Sequence, residues 1–132
     1  MPMFDAMNIA DSGLTTHRKW LDAVADNIAN INNVSRMDQP AFQERFIIAR
    51  AAQYGEPKGA YVAGNMWGDP NGEVRLMPGH PLADAEGRVR VPKMQLSDQM
   101  ASLMLAQRAY QANISVAERA KTTYEAAIGI GK

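Results

Sequence analysis

His80, Asp84 and Glu86 fall within seven residues, in the stretch Gly79-His80-Pro81-Leu82-Ala83-Asp84-Ala85-Glu86-Gly87. An imidazole beside two carboxylates could ligate a divalent metal or move protons near neutral pH. The pattern argues against both, because only one His is involved and the loop is rich in Pro and Gly. No HExxH, EF-hand or P-loop pattern accompanies it, so His80 reads as structural or solvated. His17 sits on an apolar series and reads as an interface residue rather than a ligand. Asp22 and Asp26, four apart, read as facing solvent or a partner's base and not as a catalytic pair. Ser12-Gly13 and Ser97-Asp98 come without any triad pattern. The chain has no cysteine, which excludes disulfides, thiolate metal sites and a thiol nucleophile. We therefore expect no enzyme, no bound metal and no cofactor.

Charge points the same way. Lys and Arg number 14, Asp and Glu also 14, and the formal net charge is +0. Arg18 and Lys19 near one end, and Arg108, Arg119 and Lys121 near the other, are interspersed with acids. No strand alternates aromatics with basic residues, so neither nucleic acid nor a small-molecule substrate is an expected partner. No stretch approaches the roughly 18 consecutive apolar residues of a membrane span. The opening MPMFDAMNIADSG lacks a basic segment followed by an unbroken apolar one, so a cleaved signal peptide is not expected.

Two helical arms flank a short centre. In the first, from about residue 3 to 33, Met7, Leu14, Leu21 and Ile28 fall seven apart, and Ala10, Val24 and Ile31 follow three later, with His17 completing that second row. This is a heptad pattern with apolar a and d positions, about 45 Å long at 1.5 Å per residue. Pro2 suits the first turn, and Gly13 weakens the helix locally. In the second, from about Leu96 to Ile128, Leu96, Leu103, Tyr110, Ala117 and Tyr124 are seven apart, with Ala106, Asn113, Ala120 and Ala127 three residues after four of them. Ser97 or Asp98 is a candidate cap, and Gly129 with Gly131 a candidate stop.

The centre, about 38 to 94, holds most of the prolines and glycines. Short strands are expected at Phe46 to Ile48, Ala60 to Trp67, Glu73 to Met77 and Arg88 to Val91, with a turn at Gly68-Asp69-Pro70-Asn71-Gly72. The fold class expected is mainly α with a small β-containing centre, its terminal helices pairing as a coiled-coil-like hairpin. The divisions are 1–34, 35–94 and 95–132. Met100, Met104, Ile114 and Val116 remain on the outer faces, so the arms read as surfaces for neighbours to complete. A compact α+β domain whose centre covers those faces is the alternative. Glu56 and Lys58 read as an exposed pair with no part in assembly.

Asn27, Asn30, Asn32 and Asn33 crowd the end of the first arm beside Ile28 and Ile31. Asn32 and Asn33 read as opening a turn. Asn27 and Asn30 read as packed, hydrogen-bonded amides that fix the register of neighbouring helices, with Asn113 as a counterpart on the second arm.

Three segments resemble one family. AVADNIANINNV, residues 23–34, is similar to the ANNxAN segment ending the N-terminal helix of bacterial flagellar rod and hook-type axial proteins. SLMLAQRAYQANISVAERAKTTYEAAIGIGK, with RAYxAN at Arg108 to Asn113, resembles their C-terminal helix. PGHPLADAEGRVRVP, residues 78–92, resembles the GHPxADxxGxVxxP segment of the proximal rod branch, with Gly79, His80, Pro81, Asp84, Gly87 and Pro92 on its fixed positions. Three segments depart from the family pattern: the Asn32 to Asp38 stretch replaces a Thr-containing turn, Arg88 an aromatic, and Lys93-Met94 an Asn-Val pair.

The resemblance implies a structural subunit of the proximal rod in the flagellar basal body. It would assemble into a hollow drive shaft that crosses the envelope, transmits torque and passes exported subunits. It implies type III export without signal cleavage, and arms poorly ordered before assembly that line the tube afterwards. Its partners would be other copies, other rod proteins, the export apparatus and the junction between the MS-ring and the rod base. Leu14, Leu21, Asn27, Ile28, Asn30, Ile31, Leu103, Arg108, Tyr110 and Asn113 are the expected assembly residues. A soluble helical scaffold or adaptor outside any filament is the alternative.

Overall fold

The computed structural model describes residues 2–53 and 59–131; the Glu56 and Lys58 pair lies outside them. In chain order the elements are helix α1 (Pro2–Ala29), strands β1 (Arg45–Ala51), β2 (Ala60–Trp67), β3 (Glu73–Leu76) and β4 (Arg88–Val91), and helix α2 (Leu96–Ile130). The mainly α class with a small β centre is as expected, and β2 and β4 have the expected bounds.

α1 stops at Ala29 rather than at residue 33. The Asn30 side-chain amide donates to the Asp26 carbonyl at 2.8 Å. The Asn30 backbone amide is shared between the Asp26 and Asn27 carbonyls at 3.1 and 3.2 Å. Ile31 and Asn33 then turn back on Ile28 and Asn30 with three-residue spacing, the tighter winding common at helix ends. Asn32 and Asn33 are exposed in this turn, as read.

α2 begins at Leu96, so Ser97 and Asp98 lie inside its first turn instead of capping it; the first helical bond runs from the Gln99 amide to the Gln95 carbonyl at 3.2 Å. It also runs through Gly129 and closes at Gly131, whose amide reaches the Ile128 carbonyl at 3.2 Å.

The sheets are two separate ribbons, β1 with β2 and β3 with β4. β3 and β4 are antiparallel, with Glu73 opposite Val91 and Leu76 opposite Arg88. The turn at 68–72 therefore carries the chain from one ribbon to the other rather than closing a hairpin. Gly68 donates to the Glu44 carbonyl and Ala41 to the Pro70 carbonyl, both at 2.8 Å. Ser35 forms an isolated bridge to Arg90, so the segment between α1 and β1 is sewn to β4 and to the 68–72 turn.

The chain divides into two compact units. One comprises Met1–Leu21, Ile47–Gly64 and Met104–Lys132; the other comprises Asp22–Phe46 and Asn65–Leu103. The second has a core of Ala23, Val24, Ala41, Val89 and Val91, with Asn27 and Gln99 buried among the polar groups. Alternation on β4 produces it: Val89 and Val91 point inward and Arg88 outward. In the first unit the buried residues are only Ala10, Thr16 and Ala106 among the described residues. There the helices run antiparallel, since Phe4 meets Tyr124 edge-on at 5.5 Å while His17 meets Asn113.

The buried stripe of α1 keeps Ala10 and Val24 of the second heptad row but departs from the first row. Ala10, Thr16, Ala23, Val24 and Asn27 are buried, whereas Met7, Leu14, Leu21 and Ile28 are half-buried. A straight helix at 3.6 residues per turn drifts against a strict seven-residue repeat, and small residues take the inward positions. On α2 the inward row is Gln99, Ala106, Asn113 and Ala120, with Leu103 and Tyr110 half-buried beside it.

Candidate functional site

Asn27 is the pivot of the second unit. It is 1% exposed. Its Nδ2 donates to the Arg45 carbonyl and to Gln99 Oε1, both at 3.1 Å, and its Oδ1 accepts from the Arg45 amide at 2.9 Å. Gln99 in turn donates through Nε2 to Glu44, and Arg45 pairs with Asp26. One amide thus ties the end of α1 to the first residue of β1 and the first turn of α2. A side chain with a donor and an acceptor on one planar head meets all three demands, which a carboxylate or an aliphatic group does not. The structure places Asn27 inside the chain, where its hydrogen-bonding capacity is used within the subunit. Asn30 is different: its side chain is half-buried and caps its own helix end.

Asn113 serves the first unit similarly. Its Nδ2 lies 2.9 Å from His17 Nδ1 and 3.2 Å from the Ala109 carbonyl. The contact joins α2 to the imidazole of α1. Gly13 makes the approach possible. A Cβ built there would lie 2.8–3.0 Å from the Asn113 amide atoms, so the residue that weakens α1 also admits its neighbour. Trp20, at 6.2 Å from the His17 ring, borders an open groove with Thr16, His17, Ile47 and Ala49.

The 77–87 connection between β3 and β4 is self-bracing. Met77 donates to the Gly87 carbonyl at 2.7 Å, and Gly79 and Gly87 have φ of 90° and 76°, conformations that cost other residues strain. A Cβ on Gly87 would press on Pro78 at 3.2 Å. His80 accepts the Leu82 amide on Nδ1 at 3.1 Å, Pro81 is exposed, and Pro92 is buried just past β4. Asp84 accepts from the Glu86 and Arg88 amides and from Arg88 Nε, and Glu86 also pairs with Arg88. The His, Asp and Glu of this loop are therefore engaged in holding it.

The Arg88 amide above all, followed by the guanidinium, holds the Asp84 carboxyl below its ordinary value of 3.8. A depressed folded-state pKa contributes stability present above the ordinary value and lost as pH falls through the folded one. The loop is thus expected to loosen below pH 3.8, and Asp84→Asn should abolish that acid step. Amide chemical shifts of residues 84–88 followed against pH would check it; an acid step unchanged in Asp84→Asn would contradict it.

On the outer faces, Leu14, Leu21, Ile28 and Ile31 on the first arm, and Leu103 and Tyr110 on the second, are half-buried, while Arg108 is exposed. Met100, Met104, Leu105 and Val116 are exposed, and every residue from 121 to 131 is exposed, including Tyr124, Ile128 and Ile130. Gln99, Glu44, Arg45 and Trp20 were not singled out from sequence. Gln99 had a signal, because it lies seven residues before Ala106 on the row that continues through Asn113 and Ala120.

Two family descriptions match the chain: flagella basal body rod protein over residues 7–36, and flagellar basal body rod FlgEFG protein C-terminal over residues 86–130. Among individual proteins, the flagellar basal-body rod protein FlgC of Yersinia enterocolitica is 31% identical over the whole of both chains. FlgC of Salmonella typhimurium is 30% identical, again over both full lengths. FlgC of Borreliella burgdorferi is 28% identical over 98% of each. The matched ends contain both asparagine anchors, Asn27 and Asn113, and the second begins inside the 77–87 loop. The chain belongs to the FlgC family of flagellar basal-body rod proteins.

Proposed function

We propose that the chain is a structural subunit of the flagellar basal-body rod, and within it of the proximal part. The observation that carries the reading is the imbalance of the first unit. Two alanines and a threonine form its buried set, while apolar side chains stand outward on both helices. So thin a core falls short of offsetting the conformational entropy of ordering long helices, and neighbouring subunits supply the missing burial. The full-length likeness to FlgC proteins supports rod components as those neighbours, and in this reading they include copies of this chain.

In this reading residues 1–34 and 95–132 form the inner wall of the tube, paired as a coiled-coil-like hairpin, and 35–94 lies outside. Leu14, Leu21, Ile28, Ile31, Leu103, Arg108 and Tyr110 make subunit contacts, while Asn27, Asn30 and Asn113 support them from within the subunit. The subunit passes the export apparatus without signal cleavage, reaches the envelope-crossing basal body and abuts the rod base at the MS-ring. It performs no catalysis. Electron cryo-microscopy of basal bodies from a strain lacking the chain, and from that strain complemented with it, tests the proposal. We expect the proximal rod to be missing in the first and restored in the second. An intact rod in cells lacking the chain would overturn it.

A further inference from the structure

We propose that Asn71-Gly72 is a latent deamidation site held closed by the folded 69–72 turn, with Arg90 as its clamp. The chemistry is intrinsic to the dipeptide. The Gly72 nitrogen attacks Asn71 Cγ, and the side-chain nitrogen leaves as ammonia, taking up the proton that the backbone nitrogen gives up. The five-membered succinimide that remains is opened by water at either carbonyl, leaving aspartate or isoaspartate, with no oxidant or cofactor required. Glycine presents no side chain to shield the attacking nitrogen, and Asn71 is exposed to the water the second step consumes.

Both reacting groups are tied down in the structure. The Gly72 amide donates to the Asp69 carbonyl at 3.2 Å, closing the turn. Asn71 Oδ1 accepts from Arg90 Nη1 at 3.1 Å, and the same nitrogen holds the Asn71 carbonyl at 3.1 Å. The guanidinium is itself fixed, since Nη2 donates to the Met37 carbonyl at 3.1 Å. To bring Cγ over the Gly72 nitrogen, the Arg90 contact and the turn bond must both break. A charged hydrogen bond in this position also polarises the amide, but polarisation accelerates attack only once the geometry is reached. The lock therefore dominates. Products would place a carboxylate beside Arg90 and, in the iso form, an extra backbone methylene at the start of β3.

The test is peptide mass mapping of the full chain aged in mildly alkaline buffer, with Asn65-Met66 as an internal reference for an exposed Asn not followed by Gly. Loss of one charged and one neutral hydrogen bond should raise the rate at Asn71 by roughly tenfold or more. We expect that rise in wild type unfolded by urea relative to folded wild type, and a smaller rise in folded Arg90→Lys, which keeps the Gly72–Asp69 bond, with Asn65 unmoved in the folded variant. Equal rates at Asn71 in folded and urea-unfolded wild type would overturn the proposal, whether or not the variant folds. So would an Arg90→Lys protein that circular dichroism shows folded and that ages no faster than wild type. The experiment does not depend on the rod reading, because it uses the isolated chain.

Discussion

Asn27→Leu should destabilise the subunit by about 3–5 kcal/mol, with its urea midpoint falling accordingly and the slope little changed. The substitution strands the Arg45 amide, the Arg45 carbonyl and Gln99 Oε1, which now bond to one amide group. At roughly 1–3 kcal/mol for each buried group left unpaired, three orphans exceed anything the added aliphatic surface or better helix propensity can offset. Asn27→Asp should be nearly as costly, because it presents a charge without a donor to a carbonyl and a side-chain oxygen. Asn30→Leu is the contrast: it removes one exposed helix-end bond and should cost about 0.5–1 kcal/mol at most. If Asn27→Leu unfolds at the wild-type midpoint, the network around it is not what joins α1, β1 and α2. From sequence the two asparagines read as an equivalent pair of packed amides that fix the register of neighbouring helices. The coordinates separate them.

Gly72→Ala should unfold the β3–β4 ribbon. Its φ of +57° costs an alanine about 1–2 kcal/mol. Its Cβ would also sit 2.2 Å from the Val91 carbonyl oxygen and 2.6 Å from Ala41 Cβ. Neither atom is the far end of a flexible side chain, so the strand itself must move, and the total loss should reach about 3 kcal/mol or more. Hydrogen exchange at the Val89 and Val91 amides reads it directly, since both valines lie in the core. Gly64→Ala, where nothing lies within 4 Å of the added carbon, should stay within about 0.5 kcal/mol of wild type. Unchanged protection of Val89 in Gly72→Ala would refute the steric account.

How much was legible in advance follows from the range of each interaction. The strands at Ala60–Trp67 and Arg88–Val91 were readable because alternation and turn residues are local. So were the turn at 68–72 and both long helices. The family was readable from three short segments. The helix ends were less so, because a side-chain amide at Asn30 and a backbone carbonyl at Gln95 decide them, and neither leaves a periodic trace. The buried face of α1 was placed only in part, at Ala10 and Val24, for a related reason. Alanine, threonine and asparagine weigh little on an apolar pattern, yet they are what fits where helices approach closely. The polar network was invisible because its members are 18, 55 and 72 residues apart; only the fold brings them together. Gly13 was read as a weakness, and the Asn113 amide it admits lies in another element.

The small buried set of the first unit has a consequence for how such a polymer ages. On the proposed reading, a subunit whose helices are held chiefly by its rod neighbours loses that support only when a neighbour departs. On that reading, subunits in mid-shaft would be surrounded and would neither open nor exchange, whereas those at a free tip would lack some of their neighbours and fray. Turnover is then confined to the ends. On the same reading, a completed shaft capped at both ends would be kinetically inert.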